Sequence, residues 1–155
     1  MKFVATLITL LITLSPSLTV WADAAESAPV AGDKPFVLIA RLHALPNTSG
    51  EVLRLSEAAD EAVKASEPGM LLHTFDQDPD DPLRFVWSEV YKNDDALLAH
   101  LANPALGVYL EAHADLGTDF SVEFYGTVGD KVIEAMNGTG VPYKIFKTKL
   151  GYSRV

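Results

Sequence analysis

The run FVLIARLH at residues 36–43 decides how the rest of the chain is interpreted. It is rich in residues that favour β-structure, and every second residue in it is apolar. That apolar face consists of Phe36, Leu38, Ala40 and Leu42. A period of two with one continuously apolar face is typical of a strand. We therefore predict a central β-strand here, and we expect the folded domain to start near Phe36.

A helix is predicted directly after this strand. Thr48 and Glu51 have the spacing of a capping box, in which the two side chains bind free backbone amides of the first turn. Apolar residues then recur at helical spacing at Val52, Leu55, Ala59 and Ala62. Pro68 and Gly69 end the helix.

Five further elements complete the predicted domain. They are strands at 70–75, 83–91 and 120–125 and helices at 93–102 and 105–116. The acidic, proline-containing loop between the first two of these strands reads as a solvated hairpin connection. The resulting order over residues 36–127 is β-α-β-β-α-β, which predicts an α+β fold of the ferredoxin-like type, with an antiparallel sheet and helices on one face.

Residues 128–155 form an extension beyond this domain. A short helix is predicted from Asp130 to Met136, followed by a strand-like run at 143–152. The run and its end carry bases at Lys144, Lys147, Lys149 and Arg154. It has two possible positions, either across a second subunit with an acidic surface or along an edge of its own sheet. The uncovered face of the sheet itself predicts a homodimer.

The amino terminus has the features of an export signal. Lys2 precedes an apolar run at 3–14, and Ala22-Asp23-Ala24 offers a small-x-small cleavage pattern. We expect cleavage near Ala24, a flexible leader at 25–35, a periplasmic or secreted protein, and no stable membrane insertion after cleavage. The alternative is an uncleaved anchor, since residues 3–22 could just span a bilayer.

Composition excludes several classes of function. The formal net charge is −9, with 21 acidic and 12 basic residues, which argues against nucleic acid or anionic lipid as a partner. The chain has no cysteine, so thiolate chemistry, iron–sulfur clusters and cysteine zinc sites are absent. Its four histidines lack metal-ligand spacing, and we predict no metal.

Three stretches together resemble the antibiotic biosynthesis monooxygenase family. They are PGMLLH at 68–73, RFVWSEVY at 84–91 and DALLAH at 95–100. The shared pattern is P-G, a hairpin, E-x-Y and then A-x-x-A-H, and the likeness extends over about 90 residues of this chain, 36–127. The resemblance implies a dimeric α/β barrel that oxidises quinols, anthrones and similar electron-rich aromatics with O₂, without metal or flavin. Other members degrade haem through an Asn, Trp and His set, whose Asn and Trp find no convincing match here, so haem is a minority option.

The resemblance places His100 at the family's A-H position, which makes it the candidate catalytic base. A neutral imidazole can accept a phenolic proton near neutral pH. The structural alternative is a buried histidine that is hydrogen-bonded to backbone. His113 on the next helix has the same ambiguity without support from a motif. His43 and His73 lie on strands, where each could face the pocket or the barrel interior, and a structural role is favoured for each.

Glu89 and Tyr91 share one strand face with Phe85 and Trp87. A carboxylate among aromatic side chains requires a partner, so we predict a structural ion pair between Glu89 and Arg41 of the neighbouring strand. Tyr91 could donate to a ligand oxygen or act as a core aromatic, and Trp87 would shape the pocket.

Two hypotheses for function follow. The first is an exported, cofactor-independent monooxygenase of small quinols or polyphenols, with His100 as the base and Trp87, Tyr91, His73 and His113 near the substrate. The second is a non-catalytic dimeric module on the same fold that binds a small aromatic ligand.

Overall fold

The computed structural model describes residues 32–154. The predicted signal peptide and most of the predicted leader lie outside the described residues. Gly32 is buried, its carbonyl accepts a hydrogen bond from the amide of Asp94 at 2.9 Å, and the domain therefore begins a few residues before Phe36. Within residues 32–154, no helix has the length and apolarity needed to cross a membrane.

The described chain folds into one five-stranded sheet and four helices. The strands are β1 (Phe36–Ala44), β2 (Met70–Gln77), β3 (Arg84–Tyr91), β4 (Gly117–Tyr125) and β5 (Tyr143–Phe146). The helices are α1 (Ser49–Ser66), α2 (Asp94–Leu101), α3 (Pro104–Ala114) and α4 (Asp130–Thr139). The sheet order is β2-β3-β1-β4-β5, with β5 parallel to β4 and all other pairs antiparallel. The predicted ferredoxin-like α+β fold is confirmed.

Strand β1 is central, as its apolar alternation predicts. It pairs with β3 on one side and β4 on the other, and its residues alternate strictly between buried and half-buried. The buried set points to the helix-covered face and packs with Phe85, Trp87, Val122 and Phe124 of the two flanking strands. No helix covers the other face of the sheet within the described residues of one chain, and apolar residues on it, such as Ile39 and Val86, are half-buried.

The start of α1 differs from the predicted capping box. The hydroxyl of Thr48 donates to the carbonyls of Leu45 and Leu116 at 2.8 and 2.7 Å, and its side chain makes no cap hydrogen bond. Glu51 instead pairs with Arg54 one turn along the helix. The threonine therefore ties the β1–α1 loop to the end of α3, because a hydroxyl between two carbonyls serves tertiary packing and not the helix amides.

The extension packs on the domain and enlarges the sheet. Helix α4 ends at Gly140, whose φ of 72° lies in the left-handed region that favours glycine. Strand β5 covers only Tyr143–Phe146, which is shorter than the predicted run, and it pairs with β4 of its own sheet. The structure therefore places this run along an edge of its own sheet, which is one of the two predicted positions. Residues 147–154 leave the sheet and are exposed.

Candidate functional site

A cavity of about 80 Å³ lies between the helix-covered face of the sheet and the helices α2, α3 and α4. Most of its lining is apolar, and the ionisable side chains in it are Glu89, His100 and Tyr109. The other lining residues are Leu38, Ala40, Trp87, Leu97, Leu101, Leu106, Leu110, Phe120, Val122, Met136, Thr139 and Val141. The extension therefore supplies part of the wall, through Met136, Thr139 and Val141.

Aromatic rings form one side of this cavity. Trp87 meets Tyr109 and Phe120 edge-on, with ring centroids 6.0 and 6.2 Å apart. His113 stacks on Tyr109 at 5.1 Å with an interplanar angle of 7°, and it meets Phe120 edge-on at 4.7 Å. Such offset and edge-on contacts hold each ring in one orientation, so this wall is rigid.

His100 projects from α2 onto the cavity and is held by a carboxylate. Its Nδ1 lies 2.8 Å from Oε2 of Glu67, the residue that caps α1. The amide of Asn103 donates to the other oxygen of Glu67 at 2.6 Å. An ionised carboxylate can only accept, so beside the Glu67 carboxylate the favoured tautomer of His100 donates through Nδ1 and carries the lone pair on Nε2. This is the tautomer that a general base needs.

The electrostatics of this pair favour a neutral imidazole. Burial lowers the pKa of His100, and the negative charge and hydrogen bond of Glu67 oppose this only in part. His100 and Glu67 are therefore joined by a hydrogen bond near neutral pH and not by an ion pair. The backbone at Gly69 lies very close to Ala96 of α2, and this close approach keeps α2 near Glu67. A Cβ added at Gly69 would lie 2.6 Å from Cβ of Ala96. Any larger residue there would push α2 away from Glu67.

Glu89 is the second ionisable group that faces the cavity. Its strand face is as predicted, and its partner differs from the predicted one. It is buried on the same face as Phe85, Trp87 and Tyr91, as its strand position indicates. Its partner is the hydroxyl of Tyr91, which donates to Oε2 at 2.7 Å. Burial raises the pKa of Glu89 to about 7, helped by the charges of Glu67 and Asp60 and opposed by the Tyr91 hydrogen bond.

The predicted ion pair between Glu89 and Arg41 is wrong. Arg41 lies on the uncovered face of the sheet, where its Nη1 is 2.7 Å from Oε2 of Glu123 on β4. The register explains the error: Leu38 stands opposite Glu89 and points to the same face, so the odd-numbered Arg41 of β1 points away from it.

The remaining predicted site residues surround the cavity without lining it. Tyr91 is fully buried, and its hydroxyl is used by Glu89. His113 lies behind Tyr109 and Phe120, and its Nδ1 is 2.9 Å from the carbonyl of Leu110. His73 approaches Glu89 from β2, with Nε2 3.6 Å from Oε1. Trp87, Glu89 and His100 are the three predicted residues that line the cavity.

Sequence reasoning missed Glu67, Asn103 and Asp60. Glu67 precedes the Pro-Gly pair that marks the end of α1, and Asn103 precedes Pro104, so both lie at helix ends, where local sequence indicates a boundary and no site. Asp60 lies on the polar side of α1, 3.3 Å from Nδ1 of His73. A polar residue at a helix end next to a family histidine is a weak signal, and it could not have identified the pairing.

The fold places this protein in a class of small α+β domains with a largely apolar cavity between sheet and helices, and comparison with known proteins identifies the family. The sequence profile of the antibiotic biosynthesis monooxygenase family matches residues 35–112, half of the chain. The chain belongs to this family. No curated protein matches the chain.

Solved structures of several bacterial proteins have the same fold. A candidate antibiotic biosynthesis monooxygenase from Caulobacter crescentus matches with a TM-score of 0.58 and 20% identity, covering 61% of this chain and 90% of its own. A second, from Deinococcus radiodurans, matches with a TM-score of 0.55 and 24% identity, covering 61% and 93%. At these identities the likeness defines the fold alone. In this chain, α4 and β5 lie beyond the end of the family match.

Proposed function

We propose that this protein is an exported, cofactor-independent monooxygenase of small quinol or polyphenol substrates. The observation that carries the proposal is the apolar cavity with His100 at its wall, in the tautomer that leaves Nε2 able to accept a proton. Membership of the family supports oxygenation as the class of reaction. A cavity of about 80 Å³ favours a single aromatic ring, since drug-sized ligands occupy pockets of about 300–1,000 Å³.

The reaction requires a pocket that excludes water, a base, and a group that stabilises the protonated base. The rings of Trp87, Tyr109 and Phe120 and the leucines of α2 and α3 would enclose the substrate and exclude water. His100 would take a phenolic proton through Nε2, and Glu67 would stabilise the imidazolium that forms. The electron-rich anion then reduces O₂. One oxygen atom enters the ring, the other leaves as water, and a quinol becomes a hydroxyquinone, so the substrate supplies every electron.

Oxygen consumption with a panel of quinols and anthrones tests the proposal. We expect turnover by the wild type, and a loss of about 10²–10⁴-fold for His100→Gln, which keeps a donor for Glu67 but has no imidazole. The matched control is His43→Gln, since His43 also pairs with a carboxylate, Asp81, at 3.1 Å and lies outside the cavity lining. The control should retain the wild-type rate.

One result would contradict the assigned base, and another would contradict the function itself. Full activity in His100→Gln would remove His100 as the base while leaving the reaction intact. Failure to oxidise any substrate, together with saturable binding of a quinol, would instead favour the second hypothesis, a dimeric module that binds a small aromatic ligand.

We further propose that the protein is a homodimer that uses the uncovered face of its sheet. Half-buried apolar residues on that face, including Ile39 and Val86, support an interface there. Light scattering should give twice the chain mass, and Ile39→Lys should give the chain mass.

Export is proposed from the signal-like amino terminus, and mass spectrometry of protein from the periplasm or medium should find a new amino terminus near Ala25.

A further inference from the structure

A groove on the outside of the domain is lined by residues that contact two ionisable residues of the cavity, Glu89 and His100. It is formed by the last turns of α1 and the start of β2. Its lining residues are Asp60, Glu61, Val63, Lys64, Glu67, Pro68, Met70, Leu71, Leu72 and His73. Glu67 lines this groove and contacts His100, which lines the cavity. The two spaces are therefore separated by one layer of polar side chains.

Glu89 is connected to the groove through His73 and Asp60, which both line it. Oε2 of Glu89 accepts from Tyr91, which leaves Oε1 toward Nε2 of His73 at 3.6 Å. Nδ1 of His73 lies 3.3 Å from Oδ1 of Asp60. Side-chain exposure rises along this line, from 7% in Glu89 to 18% in His73 and 40% in Asp60. Within residues 32–154, no cluster of three such side chains could hold a metal ion.

We propose that Glu89, His73 and Asp60 form a proton relay that joins the cavity to solvent at the outer groove. A buried carboxyl that lines a cavity, an imidazole with one nitrogen toward each neighbour and a half-exposed carboxylate are the parts that such a relay needs. The relay rests on the proposed function for its purpose, because in that reaction a phenolic proton is removed and protons are later delivered to the oxygen that leaves as water, both at an apolar cavity.

Each transfer moves one proton and changes no oxidation state. A proton from the cavity binds the Glu89 carboxylate, and Oε1 passes it to Nε2 of His73. His73 releases the proton on Nδ1 to Asp60, which gives it to water. The 3.6 Å step exceeds a hydrogen bond, so a small rotation of either side chain must precede transfer. The groups that face Glu89 are Tyr91 on its own strand, His73 on β2, Asp60 and Glu67 on or at the end of α1, and His100 on α2.

The test needs no substrate. Infrared spectroscopy of the resting protein would identify the carboxyl band of Glu89 as the band lost in Glu89→Gln, and a light-triggered pH jump would then give its rate of proton exchange. We expect His73→Gln and Asp60→Asn each to slow this exchange by about tenfold or more. Asp60 is half-exposed on α1, so Asp60→Asn will fold even if His73→Gln is impaired. His43→Gln is the matched control and should exchange at the wild-type rate.

Rescue separates a relay from a merely structural role. His73→Ala opens space beside the groove, and added imidazole should restore exchange in this variant while leaving Asp60→Asn slow. Wild-type exchange rates in both His73→Gln and Asp60→Asn, or a Glu89 band that does not titrate, would overturn the relay. Because the rates are measured on resting protein, a failure to oxidise quinols would overturn the proposed function and leave this result standing.

Discussion

Two histidine–carboxylate pairs in this protein have similar lengths and different surroundings. His100 and Glu67 are 2.8 Å apart, with side-chain exposures of 9% and 5%, and they lie between the cavity and the outer groove. His43 and Asp81 are 3.1 Å apart, with exposures of 31% and 35%, where β1 meets the hairpin loop. The distance between the imidazole nitrogen and the carboxylate oxygen therefore does not by itself determine the role of such a pair.

Burial is the property that separates the two regions. Around the cavity it lowers the pKa of His100, which favours the neutral imidazole, and it raises the pKa of Glu89 to about 7. At the surface, the largest influence on Asp81 is a hydrogen bond from the amide of Leu83, which lowers its pKa. Asp81 remains ionised there, and water competes for the pair. Only the buried region can couple proton movement to a ligand.

The largest expected effect is on the buried pair. Glu67→Ala leaves the buried Nδ1 of His100 without its partner, and it removes the shorter of the two hydrogen bonds that the half-buried Asn103 amide donates. We expect a loss of about 3–4 kcal/mol in the free energy of unfolding, measured by urea denaturation. Glu67→Gln retains one acceptor oxygen and should lose less. If Glu67→Ala is as stable as the wild type, the buried pair contributes no more than a surface pair.

A pH-dependent effect of nearly the same size is expected at Glu89. Its pKa rises from 4.5 to about 7 on folding, so the folded state binds this proton more tightly than the unfolded state. That stabilisation is complete below pH 4.5 and is lost as the pH rises through 7. Glu89→Gln carries no such proton, and its stability relative to the wild type should rise by about 3 kcal/mol between about pH 4 and pH 9.

Thermal unfolding across this pH range measures the effect of Glu89→Gln. The matched control is Glu123→Gln, which removes a half-buried carboxylate of β4 on the uncovered face. A constant difference between Glu89→Gln and the wild type at every pH would show that Glu89 titrates normally.

The smallest expected effects belong to the surface pairs. Arg41→Ala breaks the contact with Glu123, in which the two side chains are 39% and 25% exposed, and should cost at most about 1 kcal/mol, less at high salt. His43→Gln should leave the unfolding temperature nearly unchanged. Denaturation in low and high salt checks both variants, and a salt-independent loss above about 2 kcal/mol in Arg41→Ala would erase the contrast between the regions.

The fold was predictable because its signals are local. The alternation at 36–43 indicates which face of β1 is buried, and the turn residues around it separate the later elements. Applied strictly, the same alternation would also have prevented the error at Arg41. It puts Phe36, Leu38, Ala40 and Leu42 on the core face, so Arg41 must lie on the other face, away from Glu89.

The site was predictable only where one residue carries the signal by itself. His100 and Trp87 were identified from a motif and a strand face, and the structure places both on the cavity. Glu67 lies 33 residues before His100, and Asp60 lies 29 residues before Glu89, so only tertiary packing brings each to its neighbour. Nothing in the local sequence sets the side-chain geometry of such pairs.

The central position of β1 also has a consequence for how the chain folds. This strand is the first element of the domain to be synthesised, yet Phe36 pairs with Tyr91 and Val37 pairs with Tyr125. Neither side of β1 can be closed by a neighbour in sequence, and loop closure over such distances makes folding slow. Strand β1 has both of its partners only after β4 has left the ribosome, and until then an apolar strand lacks one of them.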